Sequence, residues 1–248
     1  ICGRLSILTT CIHCLRVSPE ITRDHVFPRS WYPNSTPPNI QHWTVPSCRE
    51  CNAKHGRNEE DLLLRIGLCV GPEEFAAQGV SDKALRAIKP EFAKGEKDRV
   101  ARAKKRQEIL NDLAVHDVPQ SKGVLPNFGV QPNLKYEGYL LAIPISGEGL
   151  KILAEKIIRG INYKLKGELI QKDQTIEVFF NKDEDVSAVV KMIRTKGETS
   201  CLGPGISVSR VEALDNPKII LFHVVIWGRL KMNITVLPVG FNHEEGGN

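Results

Sequence analysis

Two Cys-x-x-Cys pairs near the start of the chain constrain its fold more than any other feature. They are Cys11 with Cys14 and Cys48 with Cys51. A two-residue gap lets both thiolates of a pair point at one ion, and two such pairs supply the four tetrahedral ligands of a structural zinc. A redox Cys-x-x-Cys is the alternative, but it explains only one pair and requires a preceding thioredoxin-like strand. The spacing therefore predicts one zinc ligated by these four cysteines.

The composition is that of an ordinary globular protein. The chain has 248 residues, of which 41% are hydrophobic and 25% charged, enough for one large or two modest domains. No apolar run approaches the roughly 18 residues that a membrane span requires, so we expect no membrane partner and a cytoplasmic location. The net charge of +5 arises from 34 Lys and Arg against 29 Asp and Glu. This balance is too mild to indicate nucleic-acid binding, so such a surface must come from local clustering.

Motifs and loop-forming residues divide the chain into three regions, and together they predict an α+β protein. Residues 1–70 hold both Cys pairs and have too few apolar residues for a large core, so we expect zinc to stabilise them. Residues 71–118 are expected to form a helical connector, followed by a linker rich in Pro and Gly at 117–133. Residues 125–248 mix helical and strand patterns and form a C-terminal α+β domain whose role the sequence does not assign.

Local patterns predict several elements in these regions. Asn58 is predicted to cap a helix, and Leu150–Tyr163 has a helical hydrophobic period. Two apolar runs flank Gly228-Arg229 and predict a hairpin near the C-terminus. The other predicted elements are a helix at 96–115 and strands at Thr175–Phe180 and Ile206–Val211.

The helix predicted at 96–115 is amphipathic, with an apolar stripe and a basic side. A solvated charged face explains the basic side, and a phosphate-binding face explains it as well. The sequence alone does not distinguish a solvated charged face from a phosphate-binding face. The stripe contains Val100, Ala103, Leu110 and Leu113, and the basic side contains Arg99, Arg102, Lys105 and Arg106.

A group of polar residues accompanies the Cys pairs. Asp24 and His25 stand between the pairs, and Asn52 directly follows Cys51. We expect Asp24 and His25 on a hairpin strand packed over a helix, with their side chains on opposite faces unless a bulge re-aims one of them. Asp24 and Asn52 offer hard oxygen ligands that suit Mg²⁺, whereas thiolates suit zinc. His25 is then free to act as the general base that phosphodiester hydrolysis needs besides a cation.

Three motifs follow one another along the first part of the chain: Cys11-x-x-Cys14, Asp24-His25-x-x-Pro28 and Cys48-x-x-Cys51-Asn52. Over about residues 8–60 they resemble the zinc-stapled branch of the HNH endonucleases, the ββα-metal family built on a treble-clef zinc finger. The resemblance implies that His25 activates water, that Asp24 and Asn52 hold catalytic Mg²⁺ or Mn²⁺, and that the four cysteines hold structural zinc. Members of this family cut DNA, or less often RNA.

Two positions depart from the HNH pattern. The middle Asn of the family name corresponds to Trp43, so its loop-tethering role is expected to pass to Thr44 or Asn39, or to no residue. Where the family commonly has a Lys three residues after the metal-binding residue, this chain has His55, with Lys54 beside it. His55 shares a helix face with the metal-binding residue and is expected to contact the scissile phosphate, and Lys54 is expected to contact nucleic acid.

The sequence thus predicts a metal-dependent HNH endonuclease acting on nucleic acid, with DNA as the expected substrate. The main alternative is a zinc-stapled nucleic-acid-binding module without catalysis. A third interpretation is an interaction protein that acts through its C-terminal domain. The joint presence of Asp24, His25 and Asn52 argues against a silent site.

Overall fold

A computed structural model describes residues 9–71, 74–116, 125, 128, 140–181 and 183–241. Most of the predicted linker at 117–133 therefore lies outside the described residues. No helix in the described part of the chain is long and apolar enough to cross a lipid bilayer. The helices are α1 (Arg49–Gly67), α2 (Val80–Ala87), α3 (Glu96–Asp112), α4 (Gly147–Lys166) and α5 (Asp183–Lys196). The strands are β1 (Thr9–Thr10), β2 (Val17–Ser18), β3 (Ile21–His25), β4 (Thr44–Cys48), β5 (Ala114–His116), β6 (Leu140–Ala142), β7 (Gln174–Phe179), β8 (Glu198–Gly203), β9 (Ile206–Glu212), β10 (Ile220–Ile226) and β11 (Leu230–Pro238).

The mixture of helices and antiparallel sheets is α+β, as predicted, and its N-terminal part consists of two small hairpins and a helix. β1 pairs with β2, and the turn between them carries the first Cys pair. β3 pairs with β4 in the second hairpin. α1 begins at Arg49, directly after β4, so the second Cys pair spans the end of a strand and the first turn of a helix.

α1 starts earlier than the local capping pattern indicates. The sequence predicts a helix that begins at the second Cys pair and carries Asn52 and His55, and a further helix capped by Asn58, but α1 runs without interruption from Arg49 to Gly67. The predicted cap is wrong, because Asn58 lies inside α1. Its side chain instead donates to the carbonyl oxygen of Gly149 on α4, at 2.9 Å. A residue that favours caps is tolerated inside a helix when its side chain finds a tertiary partner.

The C-terminal region contains a five-stranded antiparallel sheet in the order β7-β11-β10-β9-β8. The predicted hairpin is confirmed, because Ile220–Ile226 of β10 pairs with residues 230–236 of β11. Their connection has left-handed backbone at Trp227 (φ 54°) and Gly228 (φ 71°), and the Arg229 amide donates to the Ile226 carbonyl oxygen at 3.1 Å. Two successive positive φ values are typical of a type I′ turn, whose twist matches that of the strands.

One hydrophobic core joins the N-terminal and C-terminal regions. Trp31 stacks on Trp227 with ring centroids 5.2 Å apart, and the Trp227 indole N–H donates to the Trp31 carbonyl oxygen at 2.9 Å. Residues 9–70 therefore bury apolar side chains such as Trp31 against the C-terminal region, instead of depending on zinc alone. The predicted boundaries at residues 70, 118 and 125 stay predictions, but the segments they separate share this core.

α3 packs through a different face from the one predicted. Val100 and Leu110 of the predicted apolar stripe are 59% and 50% exposed. The buried residue of this helix is Ile109, which packs against Leu64 and Ala84. The stripe prediction is wrong because hydrophobic periodicity defines a helix face without showing whether another element covers it.

A tight contact between α4 and the β3 hairpin provides a test of this shared core. A Cβ added at Gly160 would lie 2.8 Å from a methyl carbon of Val26. We expect Gly160→Ala to lower the free energy of unfolding by about 1–3 kcal/mol, because overpacking a close contact costs about that much. Urea unfolding followed by tryptophan fluorescence measures the change.

Gly56 on α1 is the matched control, since an added Cβ there has no neighbour within 4 Å. Gly56→Ala should be neutral, or should stabilise the protein by up to about 1 kcal/mol through helix propensity. Equal effects of the two substitutions would contradict the close packing of α4 against the hairpin.

Candidate functional site

The four cysteines of the two Cys-x-x-Cys pairs form one cluster. Their Sγ atoms all lie within 4.8 Å of one another, and Cys14 Sγ is 3.8 Å from Cys48 Sγ. Zn–S bonds of about 2.3 Å give a tetrahedron with sulfur–sulfur edges of about 3.8 Å. All four cysteines are free thiols. The cluster can therefore hold a metal such as zinc, as the sequence predicts.

Arg16 influences the charge of this cluster. Its Nε donates to Cys14 Sγ at 3.4 Å, and its guanidinium also pairs with Glu50. Burial acts to raise the pKa of Cys14, but the hydrogen bonds from Arg16 outweigh it and lower that pKa to about 6. The thiolate is the form that binds metal, so Cys14 is ready to act as a ligand at neutral pH.

A second cluster consists of His13, Asp24 and His55. Asp24 Oδ2 lies 3.0 Å from His55 Nδ1 and 3.4 Å from His13 Nε2. The other carboxylate oxygen, Oδ1, accepts a hydrogen bond of 2.8 Å from Lys156 Nζ. These residues come from the turn between β1 and β2, from β3, from α1 and from α4. Four separate segments of the chain thus converge on one carboxylate.

The second cluster is buried, and its carboxylate is ionised. The side chains of His13 and Asp24 are each 5% exposed, and that of Lys156 is 2% exposed. Burial acts to raise the pKa of Asp24, but the two imidazoles and the Lys156 ammonium outweigh it and hold this pKa well below its usual range. Burial lowers the pKa of His13 to about 4, so its imidazole is neutral at neutral pH. Lys156 also pairs with Glu59, whose pKa burial raises.

His25 follows Asp24 directly and is the last residue of β3. Its ring centroid is 6.3 Å from that of His42, which in turn lies 4.5 Å from the Tyr32 ring. Burial, and after it the charge of Arg29, lowers the pKa of His25. The His25 imidazole is therefore neutral at neutral pH and can accept a proton.

Asn52 contacts β3 through Thr22. Its Nδ2 donates to Thr22 Oγ1 at 2.9 Å, a bond that does not use the Asn52 Oδ1. Thr22 precedes Asp24 by two residues and therefore shares its strand face. The structure brings Asn52 to the side of β3 that carries Asp24, but the direct partner of Asp24 on α1 is His55.

Main-chain contacts tether the end of β3 at the position where the HNH pattern has an asparagine. The Val26 amide donates to the Trp43 carbonyl oxygen at 2.9 Å, and His25 pairs with Thr44 in the hairpin ladder. Main-chain contacts of this kind do not require a particular side chain at Trp43.

Three of the five predicted nucleic-acid-binding residues form ion pairs within the protein. The other two, Lys54 and Arg106, are exposed. A cation that already has a carboxylate partner offers less charge to a phosphate, so this geometry favours the solvated-face interpretation of α3. Phosphate binding by α3 stays a prediction. The pairs are Arg99 with Glu96 at 2.8 Å, Arg102 with Asp98 at 3.0 Å, and Lys105 with Glu60.

Local motifs did not identify His13 and Lys156 as members of the buried cluster. His13 stands between Cys11 and Cys14, so its closeness to the metal-binding thiols was a usable signal. Lys156 lies among buried residues of α4, three positions after Leu153, and a charged residue there needs a buried partner. That partner, Asp24, is 132 positions away, so no local pattern identifies it.

Around the cysteine cluster the chain is ordered as a hairpin with the first Cys pair in its turn, a second hairpin and a helix. Comparisons of the chain with protein-family models, curated proteins and solved structures find no match. The assignment of a function therefore depends on the residues and distances described above.

Replacing one cysteine of the cluster tests its capacity to hold metal. We expect the metal-free, reduced protein to bind Co²⁺ with strong thiolate-to-metal charge-transfer absorption, and Cys51→Ser to lose most of it, because one of four thiolate ligands is gone. Optical titration with Co²⁺ measures this. Cys201→Ser, at an exposed cysteine outside the cluster, is the matched control and should titrate like the unmodified protein. Identical titrations of all three proteins would contradict the site.

Proposed function

We propose that this protein is a metal-dependent endonuclease of the HNH type, which hydrolyses phosphodiester bonds in nucleic acid, with DNA as its substrate. The observation that carries this proposal is the meeting of Asp24 on β3 with His55 on α1, at 3.0 Å, while His25 occupies the next position of the same strand. A Cys pair in a hairpin turn, a second hairpin and a helix bearing the second Cys pair are the order expected of a treble-clef zinc finger.

His25 is the proposed general base. Hydrolysis requires a group that takes a proton from the attacking water. The lowered pKa of His25 keeps its imidazole deprotonated at neutral pH, so it can accept that proton. Asp24 is buried, whereas His25 is partly exposed. Solvent and a substrate phosphate can therefore approach His25.

Asp24 is the proposed anchor for a catalytic Mg²⁺ or Mn²⁺. Its carboxylate is held in the ionised form that binds cations. A divalent cation at this position would neutralise developing charge on the phosphate and the leaving oxygen. Two residues of α1 are candidate partners for Asp24 in holding it. Asn52 offers a hard amide oxygen, and His55 offers a ring nitrogen at hydrogen-bonding distance from Asp24.

The exposed cations Lys54 and Arg106 are the proposed first contacts with the nucleic-acid backbone. Such contacts supply affinity that is independent of sequence and falls with added salt. Arg99, Arg102 and Lys105 would have to exchange carboxylate partners for phosphates before they could contribute.

A second candidate function is nucleic-acid binding without catalysis, with zinc in the cysteine cluster as a structural staple. The observation in its favour is the burial of Asp24 among His13, His55 and Lys156, a network that can serve stability alone. The two functions differ in whether a phosphodiester bond is broken.

Plasmid cleavage by the zinc-loaded protein with added Mg²⁺ or Mn²⁺ distinguishes the two functions. We expect the unmodified protein to nick DNA and His25→Ala to be slower by about 10²–10⁴-fold, the usual contribution of a general base. DNA affinity, measured by fluorescence anisotropy, should be nearly unchanged, because no proposed phosphate or metal contact is removed.

His42→Ala is the matched control, since it removes a neighbouring imidazole that has no proposed catalytic role. It should retain cleavage. Full activity of His25→Ala would contradict the assignment of His25 as the general base. An unmodified protein that binds DNA without cutting it would support the second candidate function, nucleic-acid binding without catalysis.

A further inference from the structure

The three donor atoms of the second cluster are spaced like ligands of a single metal ion. Bonds of about 2.0–2.2 Å to imidazole nitrogen and carboxylate oxygen give ligand–ligand edges of about 3.0–3.5 Å in tetrahedral or octahedral geometry. Asp24 Oδ2 lies 3.0 Å from His55 Nδ1 and 3.4 Å from His13 Nε2. The three residues each present a donor atom within 4.8 Å of the other two.

His13 gives an independent indication of a ligand at this position. Its side chain is 5% exposed, and its Nε2 is buried without a hydrogen-bond partner of acceptable geometry among the described residues. A buried polar atom that lacks a hydrogen-bond partner destabilises the folded protein. The nitrogen lies 3.4 Å from Asp24 Oδ2, so a metal ion shared with that oxygen would satisfy it.

The surrounding charges leave one carboxylate oxygen for a cation. Lys156 donates to Asp24 Oδ1 at 2.8 Å and also pairs with Glu59, so its charge is met by two carboxylates. Asp24 Oδ2 faces the two imidazoles instead. Two imidazoles and one carboxylate suit borderline transition metals, whereas Mg²⁺ favours oxygen ligands and retained water.

We propose that His13, Asp24 and His55 form a second metal site, separate from the four cysteines, which binds a divalent transition-metal ion in preference to Mg²⁺ and for which Mn²⁺ is a spectroscopic probe. A role of this site in DNA cleavage rests on the proposed function. Its capacity to bind metal rests only on the geometry of the three donor atoms. In this site His55, and not Asn52, is the α1 residue that shares the metal with Asp24. His13, from the turn between β1 and β2, is the third ligand. Three protein ligands leave further coordination positions for groups from outside the protein.

Mn²⁺ binding to the full, zinc-loaded chain tests the site without any need for cleavage. Electron paramagnetic resonance counts bound and free Mn²⁺, and zinc in the cysteine cluster does not contribute to the signal. We expect one Mn²⁺ per chain beyond the zinc, bound in the presence of excess Mg²⁺. Spin-echo modulation from imidazole nitrogen should appear in the unmodified protein, which tests the ligands without a substitution.

His13→Ala and His55→Ala should each weaken Mn²⁺ binding by at least about tenfold, since loss of even an outer-shell partner of a ligand costs 10–100-fold. The zinc content of each variant shows whether the cysteine cluster is intact. His42→Ala is the matched control, because its Nδ1 is also buried without a partner but lies outside the cluster, and its Mn²⁺ affinity should not change.

Absence of a second bound ion, absence of nitrogen modulation, or equal Mn²⁺ affinity in His13→Ala would overturn the proposed site. These results are distinguishable from failure of the proposed function. Mn²⁺ bound through imidazole nitrogen without DNA cleavage would support the site and reject the nuclease. Cleavage with unaltered Mn²⁺ binding in both histidine variants would support the nuclease and reject this ligand set.

Discussion

A buried ion pair between Asp24 and Lys156 connects the N-terminal hairpin to α4 at the centre of the candidate site. The carboxylate and the ammonium lie 2.8 Å apart, with side chains 5% and 2% exposed. Removing Lys156 would leave the Asp24 carboxylate buried without a cation, which costs about 3–5 kcal/mol. The geometry of β3, and with it the positions of His25 and Asp24, therefore depends on a residue from the C-terminal region.

This dependence gives the C-terminal region a physical role at the site. α4 supplies Lys156, and the connection beyond β10 supplies Trp227, which stacks on Trp31. The C-terminal region thus packs against the β3–β4 hairpin. Zinc in the cysteine cluster would fix the other side, where the turn bearing His13 meets the start of α1. The candidate site lies between the cysteine cluster and a shared hydrophobic core.

Features that depend on short-range spacing could be predicted from the sequence. The two Cys-x-x-Cys pairs predicted one cluster, since a two-residue gap lets both thiolates of a pair point at one ion. The β10–β11 hairpin followed from apolar runs around a glycine that tolerates a positive φ.

Features that depend on long-range packing could not be predicted in this way. The stripe on α3 has the expected period, yet Val100 and Leu110 are exposed, because a period does not say which neighbour will be present. Asn58 has the chemistry of a cap but bonds to Gly149, 91 positions away. Lys156 and Asp24 are separated even further along the chain. These contacts determine the electrostatics of the site, and they become visible only in the folded structure.

A double-mutant cycle on the Asp24–Lys156 pair tests this account most directly. Asp24→Asn, Lys156→Met and the double variant would be unfolded in urea with zinc present and no other divalent cation. Lys156→Met should lower the free energy of unfolding by about 3–5 kcal/mol because it leaves the buried Asp24 carboxylate without its cation, and Asp24→Asn should lower it by less because Glu59 still pairs with Lys156. The double variant should be no less stable than Lys156→Met, because the Asp24 charge that this substitution leaves uncompensated is also gone. Losses that simply add in the double variant would show that the two residues act independently, and would contradict the account.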